Sequence, residues 1–165
     1  MSKVAIVYGS STGATEAVAE KIQASFEGST LFNAESVNVE DLKPYDLLIF
    51  GASTTGIGDL QDDWDALLPK VEKMDFTGKK VALFSLGDSA SFSTSFAGAM
   101  YYIYKALKGK VEIIGSVSTD GYTFDDSDAV VDGHFVGLAL DEDNEYNETD
   151  SRIAAWVEEL KKHLN

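Results

Sequence analysis

Val4-Ala5-Ile6-Val7-Tyr8-Gly9-Ser10-Ser11-Thr12-Gly13-Ala14-Thr15 opens on a continuous apolar run, breaks at a glycine, crosses a cluster of hydroxyls and leads into helical spacing. An unbroken apolar run of this length is the pattern of a strand buried on both faces of a parallel sheet. Beyond it, Val18, Ile22 and Phe26 line one helical face, and Gly28 is a natural stop. The same alternation recurs down the chain. Residues 47–51, 81–86 and 111–117 read as further buried strands, and residues 30–33 as a weaker fifth one. Between them, Trp64, Leu67, Leu68 and Val71 form a helical stripe, and Phe96, Met100, Ile103 and Leu107 form another. Ile153, Trp156, Val157, Leu160 and Leu164 form the last, with Thr149 or Asp150 expected as its cap. Strands alternating with helices at this spacing predict a doubly wound α/β sheet with helices on both faces.

The chain has 165 residues, the length of one ordinary domain, and can bury about 70% of its unfolded surface in a single core. Its first apolar run is too short for a signal peptide or a membrane span, which predicts a cytoplasmic protein. With no cysteine, thiolate catalysis, disulfides and cysteine-held metal clusters are excluded, so any redox chemistry needs a cofactor held by other means. Thirteen basic residues against 28 acidic ones give a net charge of -15. Such a field repels nucleic acid and anionic membrane and attracts basic protein surfaces. Between residues 120 and 150 there are eleven acidic residues and no Lys or Arg, which predicts a solvated stretch.

In doubly wound sheets, ligands sit beyond the carboxyl ends of the strands. Three loops occupy that edge. The first, Ser10, Ser11, Thr12, Gly13, Ala14 and Thr15, places hydroxyls and a helix start together, an anion site without any Lys or Arg. A phosphate held there by dipoles alone suits a bound monoester better than one being transferred, since transfer calls for a lysine and a metal. The second, Ser53-Thr54-Thr55-Gly56-Ile57-Gly58, allows close backbone approach to a flat ligand. The third begins at Leu86-Gly87-Asp88 and carries the aromatic Phe92 and Ser95. Each loop alone could be an ordinary cap or connection. A calcium loop through Asp141, Asp143 and Glu145 fails because the sixth position is Tyr146 and the twelfth Arg152.

Taken together, the chain resembles a flavodoxin of the long-chain kind, essentially end to end. The resemblance rests on Ser10 to Thr15 followed by Glu16, on Gly56-Ile57-Gly58-Asp59-Leu60-Gln61, Asp63-Trp64 and Gly87-Asp88, on Thr119-Asp120-Gly121-Tyr122, on Gly137 to Asn144, and on Arg152 to Trp156. It implies a five-stranded sheet of order 2-1-3-4-5, and flavodoxin is itself a standard illustration of the rule that places its cofactor. It also implies non-covalent FMN and a role as a low-potential one-electron carrier cycling between semiquinone and hydroquinone, not an enzyme. The residues expected to hold FMN are Ser10, Ser11, Thr12, Gly13, Ala14, Thr15, Ser53, Thr54, Thr55, Gly56, Ile57, Gly58, Leu86, Gly87, Asp88, Phe92, Ser95 and Asp143. Residues 119–134 resemble the insertion that splits the last strand of long-chain members within one domain spanning residues 1–165.

Two positions depart from the family pattern. Thr55 stands where a large stacking group is usual, and Phe92 where tyrosine is usual. One flavin face is therefore expected to be more exposed, or covered by another residue such as Ile57, with greater reliance on Phe92. Asp59, Asp62, Asp63, Asp65, Asp88 and Asp143 are the acids expected to disfavour a reduced, anionic flavin. Partners are expected to be basic-surfaced redox proteins docking transiently on a monomer. The competing reading is an NAD(P)H:quinone reductase of the same fold, which would share the phosphate loop.

Overall fold

The computed structural model describes residues 3–9, 13–55 and 59–164. Four strands run side by side in the order β2 (Thr30–Asn33), β1 (Val4–Gly9), β3 (Leu47–Thr55) and β5 (Lys80–Leu86), all parallel. The outer edge of β5 is shared by two short strands. β6 (Glu112–Ile114) pairs with Lys80 to Ala82, and β10 (Leu138–Leu140) pairs with Phe84 to Leu86. β4 (Asp59–Leu60) folds back antiparallel on Thr54 and Thr55. The sheet is thus doubly wound in the order expected, with a last strand made of two pieces.

Two cores follow from strand alternation, since successive side chains point to opposite faces. Ile6, Leu47, Ile49 and Phe84 face α1 (Ala14–Ser25) and α4 (Tyr146–Lys161), meeting Val18, Ile22, Ile153 and Trp156. Ala5, Val7, Leu48, Phe50 and Leu83 face α2 (Asp62–Val71) and α3 (Ala99–Leu107), meeting Trp64, Leu67, Met100 and Ile103. No helix of the described residues is long and apolar enough to cross a membrane.

Trp64 ties α2 to the sheet. Its ring is fully buried, lies edge-on to Phe50 at 5.0 Å, and its indole N–H donates to the Gly51 carbonyl at 2.7 Å. Replacing Trp64 with Phe removes that donor inside a dry core and leaves a void. The expected loss is about 1–3 kcal/mol of unfolding free energy, read by urea denaturation.

Several expectations are corrected. The run 111–117 is not one strand, because Gly115 at φ +85° turns the backbone into a region β-strands do not use. β6 ends at Ile114, and Val117 joins a separate small sheet of β7 (Val117–Ser118), β9 (His134–Phe135) and β8 (Val130–Val131). β3 runs four residues past Gly51, so Ala52 to Thr55 are strand and not loop. α3 begins at Ala99, leaving Phe96 in the preceding turn, though still buried. α4 opens at Tyr146 after Glu145, not at Thr149 or Asp150. Thr149 is instead buried and donates to the Glu142 carboxylate at 2.9 Å, holding the turn that precedes the helix.

The acidic stretch is not uniformly solvated either. Tyr122, Phe124 and Phe135 gather around Phe96, with ring centroids 4.9–6.2 Å apart. Arg152 of α4 lies over the Tyr122 ring at 3.9 Å and donates to the Gly121 carbonyl at 3.1 Å and to Glu145 at 3.0 Å. The Tyr122 hydroxyl in turn donates to the Ala139 carbonyl at 2.7 Å. Asp120, Asp125, Asp126, Asp128 and Asp132 are exposed around this small aromatic core.

Candidate functional site at the carboxyl edge of the sheet

Chain order reverses between β1 and β3, one leading to β2 on one side and the other to β5 on the opposite side. A crevice forms where loops diverge from such a point. The register sets Gly9 beside Ala52 and Ser53 beside Leu86, so the three candidate loops leave the sheet side by side. Of the residues expected there, Ser10, Ser11, Thr12, Gly56, Ile57 and Gly58 lie outside the described residues. The others share this edge: Gly13, Ala14 and Thr15 at the start of α1, Ser53 to Thr55 at the end of β3, Leu86 at the end of β5 with Gly87, Asp88, Phe92 and Ser95 after it, and Asp143 beside Asp88 ahead of α4.

α1 opens on Gly13 at φ +92°, a residue with no side chain of its own to cap the helix. Thr15, in the first turn, is fully buried, and its hydroxyl has no hydrogen-bond partner among the described residues. The hydroxyls of Ser53 and Ser95 are likewise buried and unpartnered. An unpaired buried hydroxyl costs about 1–3 kcal/mol, so three at one edge of one sheet make that edge a polar site able to take a polar ligand. All three belong to the candidate set. Thr54 differs, because its hydroxyl accepts the Ala99 N–H at 3.2 Å and serves to start α3. Leu86 is nearly buried in the core beside α1 and α4.

Phe92 is 43% exposed, one of two large apolar side chains so exposed among the described residues. It does not cover the core. Its loop is held by Asp88, whose backbone carbonyl accepts the Phe92 N–H at 2.8 Å and whose carboxylate accepts those of Ala90 and Ser91 at 3.1 and 3.0 Å. These donors, the Ser91 N–H first and the Asn144 amide next, hold the Asp88 carboxyl below the usual carboxylate range.

Asp141 is fully buried, which its place in an acidic run did not signal. Its carboxylate accepts the Ser89 hydroxyl, the Ser89 N–H at 3.2 Å and the Asn144 N–H at 3.0 Å. The Asn144 amide also bridges to Asp88 at 2.8 Å. One buried charge thus locks the Phe92 loop to the turn before α4. The spacing Asp-x-x-Asn ahead of a helix was the available clue, because such a carboxylate readily accepts nearby main-chain N–H groups. Ser93 adds a second latch, its hydroxyl donating to Asp125 at 2.7 Å, which brings the acidic insertion against the same loop.

Asp88, Asp141 and Asp143 place carboxylate oxygens within 4.8 Å of one another. Desolvation, followed by the neighbouring Asp88 and Asp141 charges, pushes the Asp143 carboxyl up. Asp59, Asp62 and Asp65 are exposed around the start of α2, and Asp63 accepts the Gln61 amide at 2.9 Å. Negative charge therefore crowds this edge. The bases collect at the opposite one. Lys3, Lys43 and Lys79 precede strands and Lys80 opens β5, while Lys70, Lys73, Lys105, Lys108, Lys110, Lys161 and Lys162 close or follow helices.

The Tyr8 hydroxyl donates to Glu16, in the first turn of α1, at 2.5 Å. This bond, with burial, pushes the Tyr8 phenol up to about 12, and burial pushes Tyr122 up to about 12 as well. Both phenols stay protonated in the folded chain where an unfolded one, with a pKa near 10, loses its proton. Their contribution to stability is complete below pH 10, declines as pH rises and is lost above about 12. Thermal melts should fall across this window, and Tyr8→Phe should flatten the fall.

The family described as flavodoxin matches residues 6–156. A flavodoxin of Synechocystis sp. is 39% identical, covering 99% of each chain, and flavodoxin 1 of Azotobacter vinelandii is 44% identical, covering 99% of this chain and 98% of its own. Among solved structures, Fusobacterium nucleatum flavodoxin bound to flavin mononucleotide superposes with a TM-score of 0.94 at 33% identity over all of both chains.

Proposed function

The chain belongs to the flavodoxin family, and from that premise we propose that it holds one FMN at the carboxyl edge of its sheet and carries single electrons between redox proteins. It is an electron carrier and not an enzyme, and FMN is its cofactor. The observation that carries this reading is the trio of buried hydroxyls of Thr15, Ser53 and Ser95 at that edge, unpartnered among the described residues. They fit a polar, phosphorylated ligand.

FMN supplies the redox chemistry when bound, and the chain binds, shields and biases it. Thr15 and the start of α1, with Ser10, Ser11 and Thr12, would hold the phosphate by dipole and hydroxyl donors. Phe92, on a loop fixed by Asp88 and Asp141, would cover the ring, and Ser53, Thr55, Gly56, Ile57, Gly58, Gly87, Ser95 and Asp143 would complete the contact. Asp88, Asp143 and the acids of α2 make added negative charge unfavourable, which lowers the potential. Each carboxylate about 10 Å away contributes roughly 0.4–0.8 kcal/mol at an effective dielectric between about 40 and 80.

The same acids fit basic surfaces on partner proteins, which dock briefly on a monomer in the cytoplasm, and the whole chain acts as one domain. The quinone reductase reading has nothing comparable in its favour.

Anaerobic stepwise reduction of the FMN-loaded chain, followed by absorbance, tests the function. Dithionite should pass through a stable one-electron stage, and NADPH alone should do nothing. Direct two-electron reduction by NADPH would overturn the carrier reading.

A further inference from the structure

At the pole opposite the cofactor edge lies a groove of about 740 Å³, lined by Lys43, Lys70, Lys73 and Lys79 with Val39 and Met74. It shares no residue with the candidate FMN site. Four lysines on one concave wall stand out in a chain of net charge -15. Lys79 is fixed, donating to the carbonyls of Lys43 and Tyr45 at 2.5 and 2.7 Å, and Lys43 pairs with Glu40 at 2.6 Å. Asp75, at the rim, is occupied by the Thr77 N–H and hydroxyl at 2.9 and 2.7 Å. Lys70 and Lys73 are exposed and have no ion pair among the described residues. As a result, the two acids are answered locally while two cations, three residues apart at the end of α2, are not.

We propose that this groove docks a short acidic segment of a partner protein, leaving the FMN edge free. Charge complementarity selects the occupant. Beyond about 8 Å at physiological salt the acids of the far pole are screened, so a short segment seated in the groove meets chiefly lysine. A nucleic acid or an anionic membrane extends past the groove and meets the acidic flanks. The apolar floor of Val39 and Met74 suits a segment in which apolar residues interrupt the acids. A carrier that must meet two partners through one cofactor edge gains a second handle by which one of them can retain it.

The test uses the FMN-loaded full chain and a dye-labelled peptide alternating glutamate with leucine, followed by fluorescence anisotropy at low and physiological salt. Binding should weaken with salt and fall roughly fivefold in the double variant Lys70→Gln/Lys73→Gln, as two exposed charge pairs would imply. Both lysines are exposed, so unchanged FMN affinity and circular dichroism confirm that the variant is folded. A peptide with glutamine in place of glutamate should not bind. Equal binding by wild type and variant overturns the proposal, as does absence of binding. Displacement of the peptide by inorganic phosphate at comparable concentration overturns it in favour of a small-anion site, and tighter, lysine-dependent binding to anionic vesicles overturns it in favour of a membrane.

Discussion

Thr15→Val should weaken FMN binding by roughly 10- to 150-fold while leaving the flavin-free chain as stable as before, or more so. The two halves have one cause. In the flavin-free chain the Thr15 hydroxyl is buried and unpartnered among the described residues, so exchanging it for a methyl of similar shape removes a polar group that gains nothing from them. Against a bound phosphate, the same hydroxyl donates to a charged acceptor, a bond worth about 1.5–3 kcal/mol. Titration of the flavin-free chain with FMN, followed by flavin fluorescence, reads the first half, and urea denaturation without flavin reads the second. A variant that lost stability without flavin would show that the hydroxyl serves the fold; one that bound FMN normally would remove Thr15 from the site.

Gly137→Ala should be the most damaging single methyl in the chain. A Cβ at position 137 would stand 2.0 Å from the Leu83 carbonyl oxygen and 2.6 Å from its carbon. Those atoms belong to the backbone of β5, in the middle of the sheet, and cannot rotate aside as a side chain could. Either β10 separates from β5 or the sheet bends, and overpacking of this kind costs about 3 kcal/mol or more. For a chain of this size that lowers the melting temperature by roughly 6–12 °C. Because β10 leads directly into Asp141, FMN affinity should fall together with stability. Gly121→Ala is the comparison: its glycine has φ +84° but nothing within 4 Å, so backbone strain alone is added, and the loss should be near 1 kcal/mol. Equal losses in the two variants would show that the close approach at Gly137 is not what matters.

The sheet was legible from sequence because its strands are buried on both faces. Runs such as Val4 to Tyr8 have no polar interruption, and between them the helices repeat at 3.6 residues. What failed to show was local and depended on distant contacts. Gly115 reads as a harmless glycine in an apolar run, and only its left-handed backbone ends the strand. Thr149 has the chemistry of a cap, but Glu142 claims its hydroxyl and the helix starts earlier. In the site, hydroxyl-rich and glycine-rich loops after apolar runs were enough to select Thr15, Ser53 and Ser95. The role of Asp141 was not legible, since burial of one acid among many depends on Ser89 and Asn144 closing over it, and Ser89 is 52 residues away in sequence. The aromatic nest around Tyr122 was hidden for the same reason. Its rings are scattered among acids, with no period to reveal them.

The divided outer edge has a consequence for behaviour at high concentration. An open sheet presents its last strand as a template on which another molecule can add. Here one border is the four-residue β2 and the other is a pair of three-residue strands separated by a folded excursion. Neither offers a long, uninterrupted ladder. A cell can therefore stock this chain densely with little risk of the sheet-on-sheet accretion that leads to fibres.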